Sequence, residues 1–564
     1  MTSGATQGEA LAELIAAAEP KTARRLGELI ERLEAEGRLR TVRPPEVPPG
    51  EASTGPVAVG SPPIRGIAFD SRRVKAGSIF VAIPGEHVDG HDYVAAAVAL
   101  GAAAVIVERP LIGVATPQIV VDRAQAALAV AAAWWYGDPS REMGVVGITG
   151  TDGKTTTSFL AAAVLEAAGI STGLLTTAEL KIGELRSANP EHVTTPEAPQ
   201  LQRALRAMVD AGNRAAIVET TSHGLALDRV GGVAYDVAIF TNLTHEHLEL
   251  HGTFEAYREA KLSLFRRLGG DLVAPKRLSR DWAPTAIVNH DDPSAALFEE
   301  AAVSAGAALI RYGMSPSADV RALDVEEDAR RLRIRVQTPR WSGDVTVQLV
   351  GRFNAHNVLA AIALGEALEL DPAAVRAGLA GIRGVPGRME RVDCGQPFGV
   401  IVDYAHSPAS LQTVLDQLAP LAAADAGLIA VFGSAGERDV QKRPMMGRIA
   451  GERCRLVVLT DEDPRGEDRE AILEEIAAGA EAAGKRRGED LLLIPDRRDA
   501  VVAALERARP GDVVLLAGKG HEQSIIMSDG PRAWDERTEA IAALGLLGFR
   551  HHEHGERDNR NAHY

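Results

Sequence analysis

A glycine-rich loop between two ordered elements constrains this fold more than any other feature. The stretch GITGTDGKTTT, residues 147–157, follows the apolar run MGVVGIT and precedes a helical pattern. Gly150 and Gly153 permit close backbone approach, while Lys154 and Thr155 open the helix. Backbone N–H groups would cradle phosphate, Lys154 would neutralise its oxygens and Thr155 would bind Mg²⁺. The sequence therefore predicts a strand, a phosphate loop and a helix.

The spacing of this loop differs from the common nucleotide-binding pattern GxxxxGK[ST]. Ile148 occupies the position that the pattern gives to its first glycine. The structural alternative is a glycine-rich turn that only joins a strand to a helix. The Lys-Thr-Thr sequence that follows Gly153 favours phosphate binding over that alternative.

Composition limits the class of protein. A chain of 564 residues is too long to fold around one hydrophobic core, so we expect about three or four domains. Hydrophobic residues make up 46% but aromatic residues only 4%, which favours an α/β fold with parallel sheets. The net charge of −16 argues against nucleic-acid binding. Two cysteines without metal or disulfide spacing, and no signal or membrane-spanning pattern, predict a cytoplasmic protein.

Proline, glycine and changes of periodicity mark domain boundaries. We expect folded structure to begin near Ile64, and the alternation from Gly144 predicts a doubly wound parallel sheet followed by a Rossmann-like domain. The predicted divisions are a partly helical N-terminal extension with a Pro/Gly linker at 1–63, a first domain at 64–141, a central domain at 142–384, a third domain at 385–549 and a disordered tail at 550–564.

Carboxylate and imidazole groups follow two predicted strands of the central domain. Glu219 ends the run RAAIVE, and His247 lies in TNLTHEHLELHG after the run DVAIF. Open α/β sheets bind ligands at the carboxyl ends of their strands, so Glu219 and His247 are predicted Mg²⁺ ligands. For His245, Glu246 and Glu249, a solvated acidic loop is the favoured interpretation.

The loop variant G-[IV]-T-G-T-[ND]-G-K-T-[TS] resembles the Mur ligases and their folylpolyglutamate synthase relatives, which use ATP to form amide bonds. ETTSHGLALDRV and NLTHEHLELHG resemble elements of the MurE type within that family. Matching motifs follow in family order over nearly all of residues 64–546. Asp152 stands where the family usually has Asn, and Glu246 where it has Asp. The resemblance implies a three-domain Mur ligase architecture that uses ATP and Mg²⁺.

The resemblance also implies roles for individual residues at the nucleotide. The implied ATP contacts are Gly150, Thr151, Asp152, Gly153, Lys154, Thr155, Thr156, Asn289, Asn354, Asn357, Arg388, Asp403 and His406. The implied metal ligands are Thr155, Glu219, His247 and Lys261. Lys261 matches a lysine that Mur ligases carry as a carbamate, although by its residues alone it is an ordinary helix-surface lysine. Arg388 and Lys442 would contact the transferring phosphoryl group when the domains close.

Three further groups of residues match substrate-binding positions of the MurE type. Ser71 and Arg72 would contact the UDP part. The TTPEA segment with Thr194 and Thr195, together with Ser222 and Arg229, would meet the muramoyl-peptide end. The candidates for the incoming amino acid are Glu462, Asp463, Arg465, Gly518 and Glu522.

The stretch TDEDPRGED bears on which amino acid is added. Family members that add meso-diaminopimelate usually have D-N-P-R, and lysine-adding ones often lose the arginine. This chain keeps Arg465, which could clamp a distal carboxylate, but has Asp463 in place of the asparagine. The added anion would repel a second carboxylate and favour a bare ammonium. We therefore expect L-lysine or L-ornithine ahead of meso-diaminopimelate.

The implied reaction is ligation of a diamino acid to UDP-MurNAc-L-Ala-D-Glu through an acyl phosphate, in peptidoglycan precursor synthesis. The enzyme is expected to be a monomer with no nucleic-acid or integral membrane contact. One alternative is a folylpolyglutamate synthase-like ligase, against which the uridine-type first domain and TTPEA count. The other alternative is a catalytically silent binding subunit, against which the intact Lys154, Thr155, Glu219, His247 and Lys261 count.

Overall fold

The computed structural model describes residues 3–46, 62–85, 88–189, 194–244, 248–268, 282–328 and 330–550. The fold is α/β, as predicted, with three large sheets. The chain divides into two compact units. One unit comprises Met1–Ala322, Val336–Ser342 and His356–Gly378; the other comprises Leu323–Arg335, Gly343–Ala355 and Leu379–Tyr564.

The N-terminal part of the first unit forms a five-stranded sheet of order β2-β7-β6-β5-β4. Strands β4 to β7 are parallel and β2 runs antiparallel to β7. Every residue of β5, β6 and β7 is buried, as expected for a sheet covered on both faces. The elements are α1 (Ser3–Ala17), β1 (Arg24–Arg25), α2 (Leu26–Ala35), β2 (Leu39–Arg43), β3 (Pro63–Ile64), β4 (Gly66–Ala68), β5 (Ser78–Val81), α3 (Val94–Ala99), β6 (Ala104–Val107), β7 (Gln118–Val121) and α4 (Ala124–Trp135).

Folded structure begins well before Ile64, so that expectation is wrong. Leu26, Leu29 and Leu33 lie on one face of α2 and are completely buried in the core of the five-stranded sheet. Strand β2 supplies the edge of the same sheet. Farther upstream, Leu11 of α1 packs into the core of the central sheet. Charged residues on the exposed face of α2 make its apolar stripe difficult to recognise in the sequence.

The central sheet has eleven strands in the order β11-β10-β9-β12-β8-β13-β14-β15-β16-β17-β18. All neighbours from β9 to β16 are parallel, and the strand order changes direction at β8. The elements are β8 (Gly144–Thr149), α5 (Lys154–Ala167), β9 (Thr172–Leu175), β10 (Glu179–Ile182), β11 (Leu185–Ala188), α6 (Ala198–Asp210), β12 (Ala215–Glu219), α7 (Ser222–Ala226), β13 (Val237–Phe240), α8 (Leu248–His251), α9 (Phe254–Arg266), β14 (Thr285–Asn289), α10 (Ala295–Ser304), β15 (Ala308–Gly313), β16 (Val320–Glu327), β17 (Leu332–Gln337), β18 (Ser342–Val347), α11 (Asn354–Ala367) and α12 (Pro372–Gly381).

The C-terminal sheet has six strands in the order β19-β20-β24-β21-β22-β23, parallel except for β19. Aspartates cap three of its helices, because Asp468, Asp496 and Asp535 accept hydrogen bonds from first-turn N–H groups of α15, α16 and α17. The elements are β19 (Glu390–Arg391), β20 (Gly399–Asp403), α13 (Pro408–Leu418), β21 (Leu428–Phe432), α14 (Lys442–Arg453), β22 (Cys454–Leu459), α15 (Arg469–Ala482), β23 (Leu491–Leu493), α16 (Arg497–Glu506), β24 (Val513–Ala517), β25 (Ser524–Met527), β26 (Gly530–Ala533) and α17 (Glu536–Leu546).

Two expectations about termini and linkers fall partly outside the described ranges. Residues 47–61 of the Pro/Gly linker and residues 551–564 of the tail are not among the described residues. Across the described ranges, no helix combines the length and the apolar character needed to cross a bilayer.

Replacing Leu29 with alanine tests whether α2 belongs to the folded core. Because Leu29 is fully buried in the core of the five-stranded sheet, we expect Leu29→Ala to cost about 2–5 kcal/mol of unfolding free energy. Leu100→Ala is the matched control, since Leu100 is 52% exposed. Urea unfolding followed by circular dichroism measures both. Equal midpoints for the two variants would contradict a core role for α2.

Candidate functional site

The predicted phosphate loop lies where the central sheet changes direction. It follows β8, with β12 and β13 as the two parallel neighbours of that strand. In the strand register Glu219 pairs with Ile148, and Phe240 pairs with Thr149. The carboxyl ends of three strands therefore meet around the loop, which is where open α/β sheets bind ligands.

Two glycines are required for the shape of this loop. A Cβ atom on Gly150 would collide with the Thr241 hydroxyl, and one on Gly153 would collide with the Asn357 side-chain amide. Gly153 also has a φ of 80°, which L side chains rarely adopt. The backbone thus approaches its neighbours more closely than any side chain would allow.

Two lysines converge on one carbonyl of the loop. Lys154 Nζ donates to the carbonyl oxygens of Gly150, at 3.1 Å, and Thr151, at 2.6 Å. Lys261 Nζ donates to the same Gly150 oxygen at 2.6 Å. Lys261 is only 1% exposed, and its ammonium lies 4.6 Å from the Tyr257 ring centroid. The interpretation of Lys261 as an ordinary surface lysine is therefore wrong.

A buried carboxylate lies beside the start of α5. The Thr155 hydroxyl donates to both oxygens of Glu219, at 3.2 and 3.0 Å. Thr177, at the end of β9, adds a backbone N–H bond and a hydroxyl bond, each 3.0 Å long. A hydroxyl and a carboxylate beside a phosphate loop are oxygen donors of the kind that Mg²⁺ prefers, so these residues fit that ion.

The predicted metal ligand His247 and most of the acidic loop around it fall outside the described ranges. His247, His245 and Glu246 are among the residues that the structure does not describe, and the Glu249 side chain is not described either. Elsewhere in the described ranges, no three His, Cys, Asp or Glu side chains gather as a metal-binding group.

The TTPEA segment contacts the same strand end as the phosphate loop. Thr195 Oγ1 donates to the backbone oxygen of Glu219 at 3.0 Å, and the hydroxyls of Thr194 and Thr177 lie 2.8 Å apart. Arg229 Nη1 donates to the Thr195 carbonyl at 3.0 Å. Predicted phosphate and peptide residues are thus connected through Glu219 and Thr177.

Other predicted substrate residues have local partners. The Ser222 hydroxyl and His251 Nε2 lie 3.1 Å apart at the start of α7. Ser71 and Arg72 lie in a single helical turn of the first domain, where Arg72 donates to both oxygens of Asp70. These bonds hold the pKa of Asp70 below its usual value.

Predicted nucleotide residues have structural partners as well. Thr151 Oγ1 lies 2.9 Å from the Tyr257 hydroxyl, and Asp152 is exposed. Four more of the predicted nucleotide residues are buried. They are Thr156; Asn289, which donates to Thr241 O at 2.6 Å; Asn354, which donates to Val350 O at 2.7 Å; and Asn357, which accepts from the Thr157 hydroxyl at 3.2 Å.

A second group of predicted residues lines the C-terminal sheet. Lys519, buried to 1% side-chain exposure, pairs with Asp463 at 2.8 Å and with Glu522 at 2.5 Å. Glu462 is buried beside Gly518, and its Oε2 accepts no hydrogen bond within the described part of the chain. The ion pair with Lys519 offsets the Asp463 charge, so the expected repulsion by Asp463 alone is reduced.

Aromatic and basic groups lie near these carboxylates. The Tyr404 hydroxyl donates to Glu522 at 3.3 Å, and the Arg388 guanidinium stacks 5.1 Å from the Tyr404 ring centroid. Burial, with the Glu522 charge second, raises the pKa of Tyr404 well above its usual value. Lys442 Nζ donates to the His406 carbonyl at 2.8 Å.

Asp403 organises the backbone at the start of this C-terminal group. One Asp403 oxygen accepts from the Met389 N–H at 2.7 Å, and the other accepts from the Ala405 N–H at 2.9 Å. Asp403 therefore fixes the backbone next to Arg388 and Tyr404.

Sequence reasoning missed three residues at these sites. Thr177 follows the end of β9, Tyr257 lies one turn before Lys261 on α9, and Lys519 is the lysine of GKGHE. Thr177 could have been found, because it is a polar residue after a third neighbouring strand of the same sheet. Tyr257 and Lys519 had no such signal, since their roles depend on long-range packing.

The chain matches three family models along its length. The Mur ligase family catalytic domain matches residues 63–136, the Mur ligase middle domain matches residues 148–365, and the Mur ligase glutamate ligase domain matches residues 387–520.

Similar proteins cover most of the chain. A UDP-N-acetylmuramyl-tripeptide synthetase of Roseiflexus sp. is 49% identical over 495 residues, 87% of this chain and 96% of that protein. A UDP-N-acetylmuramoyl-L-alanyl-D-glutamate–2,6-diaminopimelate ligase of Geobacillus kaustophilus is 40% identical, with coverage of 87% and 96%. A solved ligase structure of that second description has 31% identity, a TM-score of 0.60 and coverage of 86% and 96%.

Gly153→Ala tests the phosphate loop. Because its Cβ would collide with Asn357, we expect ATP affinity to fall at least about tenfold, equivalent to ~1.4 kcal/mol. Gly169→Ala is the matched control, since Gly169 lies just after α5 with a φ of 76° and has no atom within 4 Å of the added Cβ. Isothermal titration calorimetry measures both affinities. Unchanged affinity in Gly153→Ala would contradict nucleotide binding at this loop.

Proposed function

The chain belongs to the Mur ligase family, and we propose that it adds a diamino acid to UDP-MurNAc-L-Ala-D-Glu in peptidoglycan precursor synthesis. It is an ATP-dependent, ADP-forming acid–amino acid ligase. The described relatives carry the names of a tripeptide synthetase and a diaminopimelate ligase. A diamino acid as the incoming substrate follows from those names and from the acidic residues of the C-terminal sheet.

One observation carries the proposal: the phosphate loop and the TTPEA segment both bond to Glu219. The side-chain oxygens accept from Thr155, and the backbone oxygen accepts from Thr195. A ligase must bring the terminal phosphate of ATP to the carboxylate of its acceptor. Through these contacts, the residues proposed to bind ATP and those proposed to bind the acceptor are held at the same strand end.

The reaction proceeds in two steps. The D-Glu side-chain carboxylate attacks the terminal phosphorus of ATP, giving an acyl phosphate and ADP. The amine of the diamino acid then attacks the acyl carbon, and phosphate leaves as the amide forms. In the first step the Lys154 ammonium would exchange its bonds to loop carbonyls for bonds to phosphate oxygens and stabilise the charge that develops there.

Mg²⁺ would be held by Thr155 and Glu219, the oxygen donors that meet beside the loop. His247 and Lys261 complete the proposed set of ligands. The ion supplies charge neutralisation at the phosphate oxygens when it is bound. Thr177 keeps the Glu219 carboxylate in place through its two hydrogen bonds.

Carbamylation of Lys261 would resolve a charge conflict in the loop. The Lys154 and Lys261 ammonium groups donate to the same carbonyl oxygen of Gly150. Two like charges that share one acceptor lie close together and repel each other. Loss of one proton from the Lys261 ammonium gives the amine, and addition of CO₂ with release of a second proton gives an anionic carbamate beside the Lys154 cation. The repulsion then becomes attraction, and the carbamate oxygens become additional metal ligands.

The charges of the C-terminal residues favour a basic amino acid. Lys519 is ion-paired with Asp463 and Glu522, whereas Glu462 Oε2 accepts no hydrogen bond within the described residues. L-Lysine and L-ornithine carry one net positive charge, and meso-diaminopimelate carries none. We propose L-lysine or L-ornithine ahead of meso-diaminopimelate, with Glu462 as the ammonium acceptor.

The remaining parts of the proposal concern ligands and setting. Arg388, Asp403 and His406 are proposed to contact ATP, and Ser71 and Arg72 the UDP part of the acceptor. Ser222 and Arg229 are proposed to contact the peptide part. The enzyme is proposed to act in the cytoplasm as a monomer, without nucleic-acid partners.

Phosphate release from ATP tests the function. With UDP-MurNAc-L-Ala-D-Glu present, L-lysine, L-ornithine and meso-diaminopimelate are added one at a time. We expect release that depends on L-lysine or L-ornithine, with a product whose mass is increased by that amino acid residue. Dependence on meso-diaminopimelate alone would contradict the charge argument but not the ligase.

Failure with all three amino acids would favour the alternatives. Turnover with a folate and glutamate instead would indicate a folylpolyglutamate synthase-like ligase. ATP binding without turnover under any of these conditions would indicate a catalytically silent binding subunit.

Lys261→Ala tests the carbamate. We expect ligation to fall by about 10²-fold or more, as for loss of other charge-stabilising groups, and to recover partly with a short-chain carboxylic acid in the buffer. Lys154→Ala is the matched control, because its loss should be equally large but unaffected by the acid. Full activity of Lys261→Ala without the acid would refute the carbamate.

A further inference from the structure

A fully buried ion pair joins two helices of the C-terminal sheet. Arg497 is the first residue of α16 and Glu536 the first residue of α17, and neither side chain has any solvent exposure. Arg497 Nε donates to Glu536 Oε2 at 2.8 Å, and Nη2 donates to Oε1 at 2.8 Å. Arg497 Nε also donates to Glu536 Oε1 at 3.2 Å, and Trp534 Nε1 adds a fourth bond to this carboxylate, at 2.6 Å.

The remaining side-chain hydrogen bonds of Arg497 go to two backbone segments, the loop that follows β22 and the last residue of β24. Nη1 donates to the carbonyl of Asp461 at 3.0 Å, and Nη2 donates to the carbonyl of Ala517 at 2.7 Å. Asp461 directly precedes Glu462, and Ala517 directly precedes Gly518. A single rigid guanidinium therefore connects the two segments that carry every proposed amino-acid contact.

The spacing between these segments determines the shape of the pocket. Glu462 Oε2 lies 3.3 Å from the position that a Cβ atom on Gly518 would occupy. On the far side, Lys519 bonds to both Asp463 and Glu522. A change in the distance between the loops would therefore shift the Glu462 and Glu522 carboxylates relative to each other.

Stability alone does not account for burying this pair. Desolvation of two charges offsets much of their attraction, so apolar residues of similar volume often serve as well in a protein core. A planar guanidinium does provide fixed directions for several hydrogen bonds at once, which apolar residues lack. Arg497 and Glu536 can therefore hold the two segments in a defined geometry.

We propose that Arg497 and Glu536 are positioning residues that set the spacing of the amino-acid pocket. Arg497 holds the backbones that carry Glu462 and Gly518, and Glu536 fixes the orientation of its guanidinium. This inference rests on the proposed function, because it assumes that these segments bind the incoming amino acid.

Arg497→Lys and Glu536→Gln test the inference. The lysine ammonium is a point charge and cannot reproduce the two bonds that the planar guanidinium of Arg497 donates to backbone carbonyls. For Arg497→Lys we therefore expect the amino-acid KM to rise about 10- to 100-fold. We expect smaller rises for Glu536→Gln. The KM values for ATP and UDP-MurNAc-L-Ala-D-Glu should stay within about twofold of wild type.

Arg498 and Glu539 offer the matched control. Their side chains form a 2.6 Å ion pair between the same two helices, but Arg498 is 65% exposed and donates to Glu539 rather than to either loop. Arg498→Lys should leave all three KM values unchanged. An equal rise in the amino-acid KM in this control would overturn the assignment to Arg497.

The double variant Arg497→Met/Glu536→Leu separates positioning from stability. It removes both charges together but leaves the Trp534 N–H and two carbonyls without these partners, so we expect a moderately lower melting temperature together with a raised amino-acid KM. A purely structural role would lower the melting temperature and leave that KM unchanged, in this variant or in Arg497→Lys. That result would overturn the inference.

Hydroxylamine distinguishes this inference from the proposed function. It can replace the amino acid, attack the acyl carbon and release phosphate, giving a hydroxamate without using the amino-acid pocket. Wild type and Arg497→Lys should form hydroxamate at similar rates. Absence of hydroxamate and of ligated product in wild type would reject the proposed function, whereas loss of hydroxamate only in Arg497→Lys would reject a role confined to the pocket.

Discussion

The buried carboxylate of Glu219 is the interaction on which the central site depends. Its side chain accepts bonds from Thr155 and Thr177, and its backbone oxygen accepts from Thr195. These donors lie on α5, at the end of β9 and in the TTPEA segment. A buried carboxylate is stable only with such partners. Because this buried carboxylate needs hydrogen-bond donors, three distant parts of the chain meet at the end of β12.

The sequence was sufficient for the architecture and for part of this site. Apolar runs identified the parallel strands, and the ends of those runs placed the predicted phosphate loop and Glu219 at the same edge of the sheet. This succeeded because parallel strands end at the same edge of a sheet, so chain position predicts spatial position. The family resemblance added Lys261, which local pattern alone assigned to the surface. Its burial depends on packing against Tyr257 and the loop.

The misses have a common physical cause. Helix α2 is charged on its exposed face, so three buried leucines were hidden in a segment that composition assigned to an extension. Asp463 was interpreted as an isolated anion, because the Lys519 that pairs with it lies 56 positions along the chain. A sequence pattern shows which residues are neighbours along the chain. Charge compensation and burial depend instead on which residues are neighbours in space.

Paired charges also explain how an acidic protein can bind anionic substrates. With a net charge of −16, the chain cannot rely on a broadly attractive surface field. Instead the Lys154 ammonium lies at the phosphate loop, where it is already bonded to the carbonyls of Gly150 and Thr151. A cation held by fixed partners loses little further rotamer freedom when a ligand arrives. Under the proposed function, discrimination between amino acids would depend on the spacing of charges, so residues that fix backbone spacing would matter as well as those that touch the substrate.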